Sequence, residues 1–544
     1  MKTTMKRWVW GAALAGGLAG PVAAATLACT DKVSETAAQT QVLSSGFGLN
    51  TSNTRNQLSD ITADNVATLK LALTHVAAGV KEKRGAPAIT QQVVYASEGR
   101  DLVAFNRASG CEYWRYSAVD RSSILLGSNA IRQASITYIP AQGTQPPLVL
   151  AGDFYANMYA VDARTGKKVW SGFVGTDTAY SWITGSPVVF EGTMYLPIAT
   201  KEVVTTVQNV LTACCKSHGA LQALDPYTGK IKWTYHTAPT ATYDAKTGFY
   251  GPAGMSLWGT PAVDTANRAL IIGTGQNLSI PTTANSDSII SLDLATGKPR
   301  WVFQAQANDT WNSACEAPAF LGLNGHCPPK QGRDLDFGAA PIMATLPGGT
   351  PAILAGGKNG IAYAINPKTG AVIWQTQLGV GGKLGGIHWG MAIDDKRLFV
   401  AVTDLDAGKA VAAVAGGKPG VYALDLLTGK LLWERHYTHT YNGATYDSMF
   451  SAALSVTRDV LFATNLNGEV FAFRTSSGEE LWRFDSVIAV TDVNGTKGNG
   501  GTIDSVGAIP VGRELYLNSG YSTFGSTNAW FAGPGNALMV FRLP

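Results

Sequence analysis

One pattern recurs seven times along the chain and limits the fold more than any other feature. A strand ends in Asp or Asn (Arg in the last copy), a short turn closes on Gly, and a Trp follows four residues after that Gly. The copies are Ala104 to Trp114, Ala160 to Trp170, Ala223 to Trp233, Ser291 to Trp301, Ala364 to Trp374, Ala423 to Trp433 and Ala472 to Trp482. Seven of the 14 Trp occupy this one slot. The physical reading is a hairpin between the outer two strands of a sheet. Gly supplies the positive φ of the turn, the Asp or Asn caps its backbone, and Trp packs against the next sheet. A sheet of this kind leaves one face bare, so it is stable only when stacked on neighbours.

Small residues followed by an apolar strand open each unit, as in Gly85-Ala86-Pro87, Gly185-Ser186-Pro187, Gly259-Thr260-Pro261 and Gly507-Ala508-Ile509-Pro510. They suit an innermost strand crowded around an axis. Counting these starts gives eight units, the last of which, Glu514 to Pro544, has outer strands but no Trp turn. The expected fold is therefore all-β, an eight-bladed β-propeller of four-stranded antiparallel blades. An open ring would expose sheet edges, so the segment near Leu69 to Thr74 is expected to complete the last blade. Successive repeat Trps lie 49 to 73 residues apart. The variation comes from insertions, chiefly Thr200 to His218, Asn277 to Asp287 and Asn308 to Asp336, expected on one face around one mouth of the channel.

The first 25 residues stand outside this scheme. Lys2, Lys6 and Arg7 precede an apolar run from Trp8 to Val22, then Ala23-Ala24-Ala25. That is the layout of a cleaved export signal, too short and wrongly flanked for a membrane span. Residues 26–544 are then one propeller domain, periplasmic or secreted. Losing three cations takes the formal charge from +4 to +1, which gives no basis for nucleic acid or an anionic membrane as partner. An oxidising compartment allows all six cysteines to pair. Cys315 and Cys327 are expected to close one loop. Cys214 and Cys215 form either a vicinal disulfide or two separate bridges, to Cys29 and Cys111.

Asn53-Thr54-Arg55 and Ile61 to Lys70 resemble the entry segment of the quinoprotein (pyrroloquinoline quinone, PQQ) alcohol dehydrogenases, whose tryptophan-docking repeat matches the one above. Cys214 to Gly219 and Gly385 to Gly390 are similar to signatures of the polyvinyl alcohol dehydrogenase group within that family. The resemblance covers almost the whole mature chain. It implies PQQ in the channel mouth, stacked on Trp258, with Arg132 on a cofactor carboxylate and Thr184 as a hydroxyl donor at the rim. Lys358 would reach the quinone oxygens, and Cys214, Cys215 and Trp389 would line the site. It also implies Ca²⁺ or a related cation, with Glu202, Gln276, Asn277 and Asp309 as candidate ligands. Asn312 stands where many members carry the aspartate base, and an amide cannot take a proton at neutral pH. Asp309, three residues earlier, is the substitute candidate.

The implied reaction passes a hydride from an alcohol carbon to the quinone while a base takes the hydroxyl proton. No C-x-x-C-H haem signature occurs, so a separate cytochrome c or other acceptor would reoxidise the site. Two other readings compete. One is a non-catalytic exported propeller acting as a binding or outer-membrane assembly scaffold, which the long insertions and Trp258 argue against. The other is a carbohydrate-acting enzyme with Glu202 and Asp309 as its carboxylates, which leaves the remaining cofactor-like residues unexplained.

Overall fold

Six of the seven repeat Trps lie on the turn glycine of the following blade. A Cβ on Gly166 would come within 2.7 Å of the Trp114 ring, on Gly229 within 2.7 Å of Trp170, and on Gly297 within 2.5 Å of Trp233. Trp301, Trp374 and Trp433 lie in the same way on Gly370, Gly429 and Gly478. Five of these indoles also donate Nε1–H to a carbonyl beside the next turn, for instance Trp114 to Ala163 at 2.9 Å and Trp170 to Pro226 at 2.8 Å. The glycine is thus fixed twice, by its positive φ and by the ring against it. Asp225 caps its turn as expected, with Oδ1 accepting from the N–H groups of Tyr227 and Thr228 at 2.9 Å.

The structure is a computed structural model and describes residues 27–33, 41–118, 135–207, 212–405, 413–441, 443–521 and 532–544. The expected export signal and Arg132 lie outside the described residues. Eight antiparallel sheets form the ring. Their first strands in the four-stranded repeat are Ala88–Thr90, Thr137–Ile139, Val188–Phe190, Ala262–Asp264, Ile342–Thr345, Ala392–Ile393, Ser455–Val456 and Ala508–Val511, which number blades one to eight, with Val42–Ser44 added along the inner edge of blade one. Blade eight takes its outermost strand, Lys70–Val76, from the other end of the chain, pairing Thr74 with Met539 and His75 with Leu538. This closes the ring and explains why the eighth unit lacks the Trp turn: its third and fourth strands are not consecutive. Trp482 of blade seven meets the edge of Phe541 there instead, at 5.4 Å and 80°.

The entry segment crosses the ring beneath the innermost strands. Thr51, Ser52, Thr54 and Arg55 carbonyls accept from Val263, Met343, Ile393 and Val456, one in each of blades four to seven. Asn53 donates to Thr260, Pro261 and Pro341 carbonyls. Arg55, only 1% exposed, donates to carbonyls of Leu454, Phe47 and Val506. The resemblance of this segment therefore marks a plug that ties blades together through the axis. Disulfides join Cys29 to Cys111, Cys214 to Cys215 and Cys315 to Cys327. The vicinal alternative holds and the two-bridge alternative does not.

Two glycine substitutions separate the two constraints on the turn. Gly248→Ala, at φ +76 with nothing within 4 Å of the new Cβ, should cost roughly 1–2 kcal/mol from backbone strain alone. Gly297→Ala, at φ +68 against Trp233, should add overpacking of about 1–3 kcal/mol. Urea unfolding monitored by circular dichroism checks the difference, and equal costs would contradict the docking account.

Candidate active site

In a four-stranded antiparallel blade, the start of the first strand and the end of the second lie at the same end. The segments entering the innermost strands carry Thr184 (blade three), Trp258 (four), Asp336 (five) and His388-Trp389 (six). Segments leaving second strands carry Glu202, Gln276 and Lys358. All therefore belong to one mouth. The insertions at 200–218 and 277–287 join second to third strands, and 308–336 joins a fourth strand to the next first strand. They rim the same mouth, as the sequence leads one to expect.

Trp258 forms a half-buried platform. Its indole lies flush on Gly338, where a Cβ would fall 1.8 Å from Cη2. Nε1–H donates to Asp336 Oδ2 at 2.7 Å. Trp389 meets it edge-on at 5.2 Å and 86°, and His388 at 5.5 Å and 63°. Thr184 is tied to the same place, because its neighbour Gly185 abuts the Trp258 and Gly259 carbonyls. The Thr184 hydroxyl is enclosed with no hydrogen-bond partner among the described residues.

Lys358 Nζ stands 5.2 Å from the Trp258 ring centroid, 2.8 Å from Asp336 and 3.2 Å from Asp334. Burial opposes its charge, yet the two carboxylates hold the ammonium above its ordinary pKa. Asp334 is pushed well up by burial, against the pull of Lys358 and with repulsion from Asp336 and Asp309. Asp287 is also pushed well up, by burial and by the charges of Asp309, Asp336 and Asp334. Two carboxylates sharing one cation beside a platform can hold and move a proton.

Asp309 is a strut and not a free base: its carboxylate accepts from the N–H groups of Arg333 and Leu335 at 2.7 Å, and a Cβ on Gly332 would strike it at 1.7 Å. Asn312, fully buried, accepts from Ala314 N–H and donates to the Leu278 and His326 carbonyls. It caps the short helix Ser313–Glu316. Asn277 is likewise engaged at both ends, accepting from Thr283 N–H and donating to the Asp309 carbonyl. Gln276 donates to the Trp311 carbonyl at 3.2 Å.

Glu202 lies beneath the loop carrying the vicinal disulfide and accepts from Lys216 and Ser217 N–H and from the Ser217 hydroxyl. Burial raises its pKa, against the pull of those donors. Cys214 and Cys215, 4% and 0% exposed, pack on Val203, Ala253 and Leu278. Their backbone exchanges hydrogen bonds with Tyr250.

Asp334 and Asp336 escaped the sequence reading. Their only signal is Asp-Leu-Asp just ahead of the Gly-Ala-Ala-Pro that opens blade five. Arg84, entering blade one, was also missed; its guanidinium sits 4.9 Å over the Trp389 ring.

Comparison with known proteins accords with this geometry. Residues 47–324 match the family model described as the β-propeller domain of glucose/ethanol/alcohol dehydrogenases with PQQ. Residues 358–487 match a model described as outer membrane protein assembly factor BamB, across most of blades five to seven. A polyvinylalcohol dehydrogenase from Sphingopyxis sp. (strain 113P3) is 33% identical, with 84% of this chain and 70% of the relative covered. One from Pseudomonas sp. is 31% identical, with 92% and 76% covered. The crystal structure of the quinohemoprotein alcohol dehydrogenase from Comamonas testosteroni superposes with a TM-score of 0.63 at 18% identity, covering 93% of this chain and 81% of that one, which bears on the fold. Architecture and sequence together lead to one conclusion: the chain belongs to the quinoprotein, PQQ-dependent alcohol dehydrogenase family.

Proposed function

We propose that the protein binds PQQ on Trp258 and oxidises a bulky or polymeric secondary alcohol, such as polyvinyl alcohol, passing electrons to an external acceptor such as a cytochrome c. The observation that carries this reading is the Trp258 platform, backed by glycine and flanked by Lys358, His388 and Trp389. The enclosed, partnerless Thr184 hydroxyl fits a rim contact to a polar ligand. Arg132 would grip a carboxylate, and Trp389 and the Cys214–Cys215 loop would wall the site.

PQQ supplies the two-electron acceptor. The protein's part is positional and acid–base. Asp336, on the edge of the platform, takes the hydroxyl proton of the alcohol. Asp334, whose carboxyl is pushed up, shares that proton through the common Lys358. The Lys358 ammonium stabilises negative charge arising over the platform. The candidate cation set does not fit as it stands: Asn277 and Asp309 already use their side-chain oxygens inside the rim loops. The mechanism therefore runs no step through a metal, and Ca²⁺ enters as a variable of the test. Met1 to Ala25 is assigned as a cleaved signal delivering residues 26–544 to the periplasm or exterior, in keeping with three disulfides. Among the described residues no helix is long and apolar enough to cross a membrane.

The test is to add PQQ, with and without Ca²⁺, to the purified protein and follow quinone absorbance and dye reduction with alcohols of increasing size. Stoichiometric quinone and alcohol-dependent reduction are expected. No bound quinone would leave the scaffold reading, in line with the match across blades five to seven. Asp336→Asn should lower kcat by roughly 10²–10⁴-fold with PQQ still bound. Asp309→Asn should act on the fold instead, lowering unfolding free energy by about 1–3 kcal/mol; a larger kcat loss in this variant than in Asp336→Asn would reverse the assignment.

A further inference from the structure

Two cations flank the Trp258 platform from opposite sides of the ring. Lys358 leaves the second strand of blade five, and Arg84 lies in the segment entering blade one. In an eight-bladed ring, blades one and five face each other across the axis. Both side chains are nearly closed to solvent, at 6% exposure each. Lys358 Nζ is 5.2 Å from the Trp258 ring centroid. The Arg84 guanidinium lies 4.9 Å over Trp389 and 5.2 Å over Tyr521, rings supplied by blades six and eight. Trp389 in turn meets Trp258 edge-on at 5.2 Å, so a single ring separates Arg84 from the platform.

The two cations are held differently. Lys358 is paired in place with Asp336 at 2.8 Å and Asp334 at 3.2 Å. Arg84 is held by aromatic faces, a contact that grips the flat side of the group while its N–H donors radiate in its plane. Burial first, then Lys358 and Arg84, hold the His388 imidazole well below its ordinary pKa, so the ring beside the platform is a neutral neighbour of two cations. Asp504, entering blade eight, also faces Arg84, and burial raises its carboxyl to about 6. An anion arriving at Arg84 therefore competes with a carboxylate that burial already disfavours.

PQQ is a tricyclic quinone with its two adjacent carbonyls at one edge and three carboxylates around the rest of its perimeter. A disc resting on Trp258 meets Lys358 and Asp336 on one side of the mouth, where a quinone carbonyl and the alcohol proton are handled. The carboxylate-bearing perimeter then faces the other side. We propose that Arg84 is a cofactor-binding residue that takes a PQQ carboxylate, and so orients the disc with its quinone edge toward Lys358 and Asp336. A guanidinium meets a carboxylate with paired N–H donors, and the pairing gains strength where water is excluded. The resemblance gives Arg132 to a cofactor carboxylate; Arg84 adds a second cation, on a blade for which the resemblance names none.

This inference rests on the proposed PQQ position, and the experiment separates the two. Binding to the cofactor-free protein is read by quenching of tryptophan fluorescence, with PQQ and with its trimethyl ester, which keeps the tricyclic quinone and lacks the negative charges. The parent should bind PQQ more tightly than the ester. Arg84→Met, which keeps an unbranched side chain between the rings, should weaken PQQ about 10- to 100-fold, the worth of a charge-assisted hydrogen bond, and leave the ester within about twofold. Arg84→Lys keeps the charge without the fork and should fall between parent and Arg84→Met. Thermal unfolding followed by circular dichroism accompanies each variant. A residue serving only the fold would lower the unfolding midpoint and weaken acid and ester alike. That result, or parent-like PQQ affinity in both variants, would overturn the role of Arg84 while leaving the Trp258 site intact. A parent protein that binds neither ligand would overturn both readings.

Discussion

Six of the eight junctions between blades depend on the contact between an indole and the bare backbone of the next blade's turn. A single propeller blade cannot bury both faces, and the Trp–Gly contact joins the burial of one sheet to the hairpin of its neighbour. The contact tolerates no side chain at the glycine, so the repeat keeps its register around six of the junctions. Where the chain ends meet, the strand Lys70–Val76 and Phe541 take over. The plug around Asn53 and Arg55 adds a second tie through the axis, with backbone hydrogen bonds shared among blades four to seven.

A ring held at its rim leaves its inner loops free for chemistry. The segments entering the innermost strands converge on one mouth, and several blades contribute side chains to it. Trp258, Asp336, Lys358 and His388 come from blades four, five and six, far apart in sequence and close in space. The long rim loops do different work. Asp309, Asn312 and Asn277 use their polar groups to hold loop backbone that would otherwise be buried unpaired. They shape the rim, while the Asp334–Asp336 pair stands beside Lys358 at the Trp258 platform.

The architecture was legible because its signal is local and repeated: strand, turn glycine and Trp lie within eleven residues, seven times over. Closure by the segment near Leu69 and the gathering of three insertions at one mouth followed from blade topology. Trp258 stood out because it falls outside the repeat slot. Asp334 and Asp336, the proposed acid–base pair, did not, since the disulfide-braced loop from Cys315 to Cys327 separates Asp309-Thr310-Trp311-Asn312 from them. A motif match stops at the loop, whereas the fold continues past it to the platform. Whether Cys214 pairs with Cys215 or with a distant cysteine likewise depends on which sulfurs the blades bring together.

The claim on which the chemistry depends is that a planar quinone lies against the Trp258 indole. A crystal structure of the PQQ-loaded protein tests it most directly. The account predicts the quinone ring parallel to Trp258, with Lys358, Thr184 and His388 within hydrogen-bond reach of its oxygens. Density for the quinone elsewhere on the propeller, or a mouth in which Trp258 is covered by protein and PQQ is excluded, would contradict it.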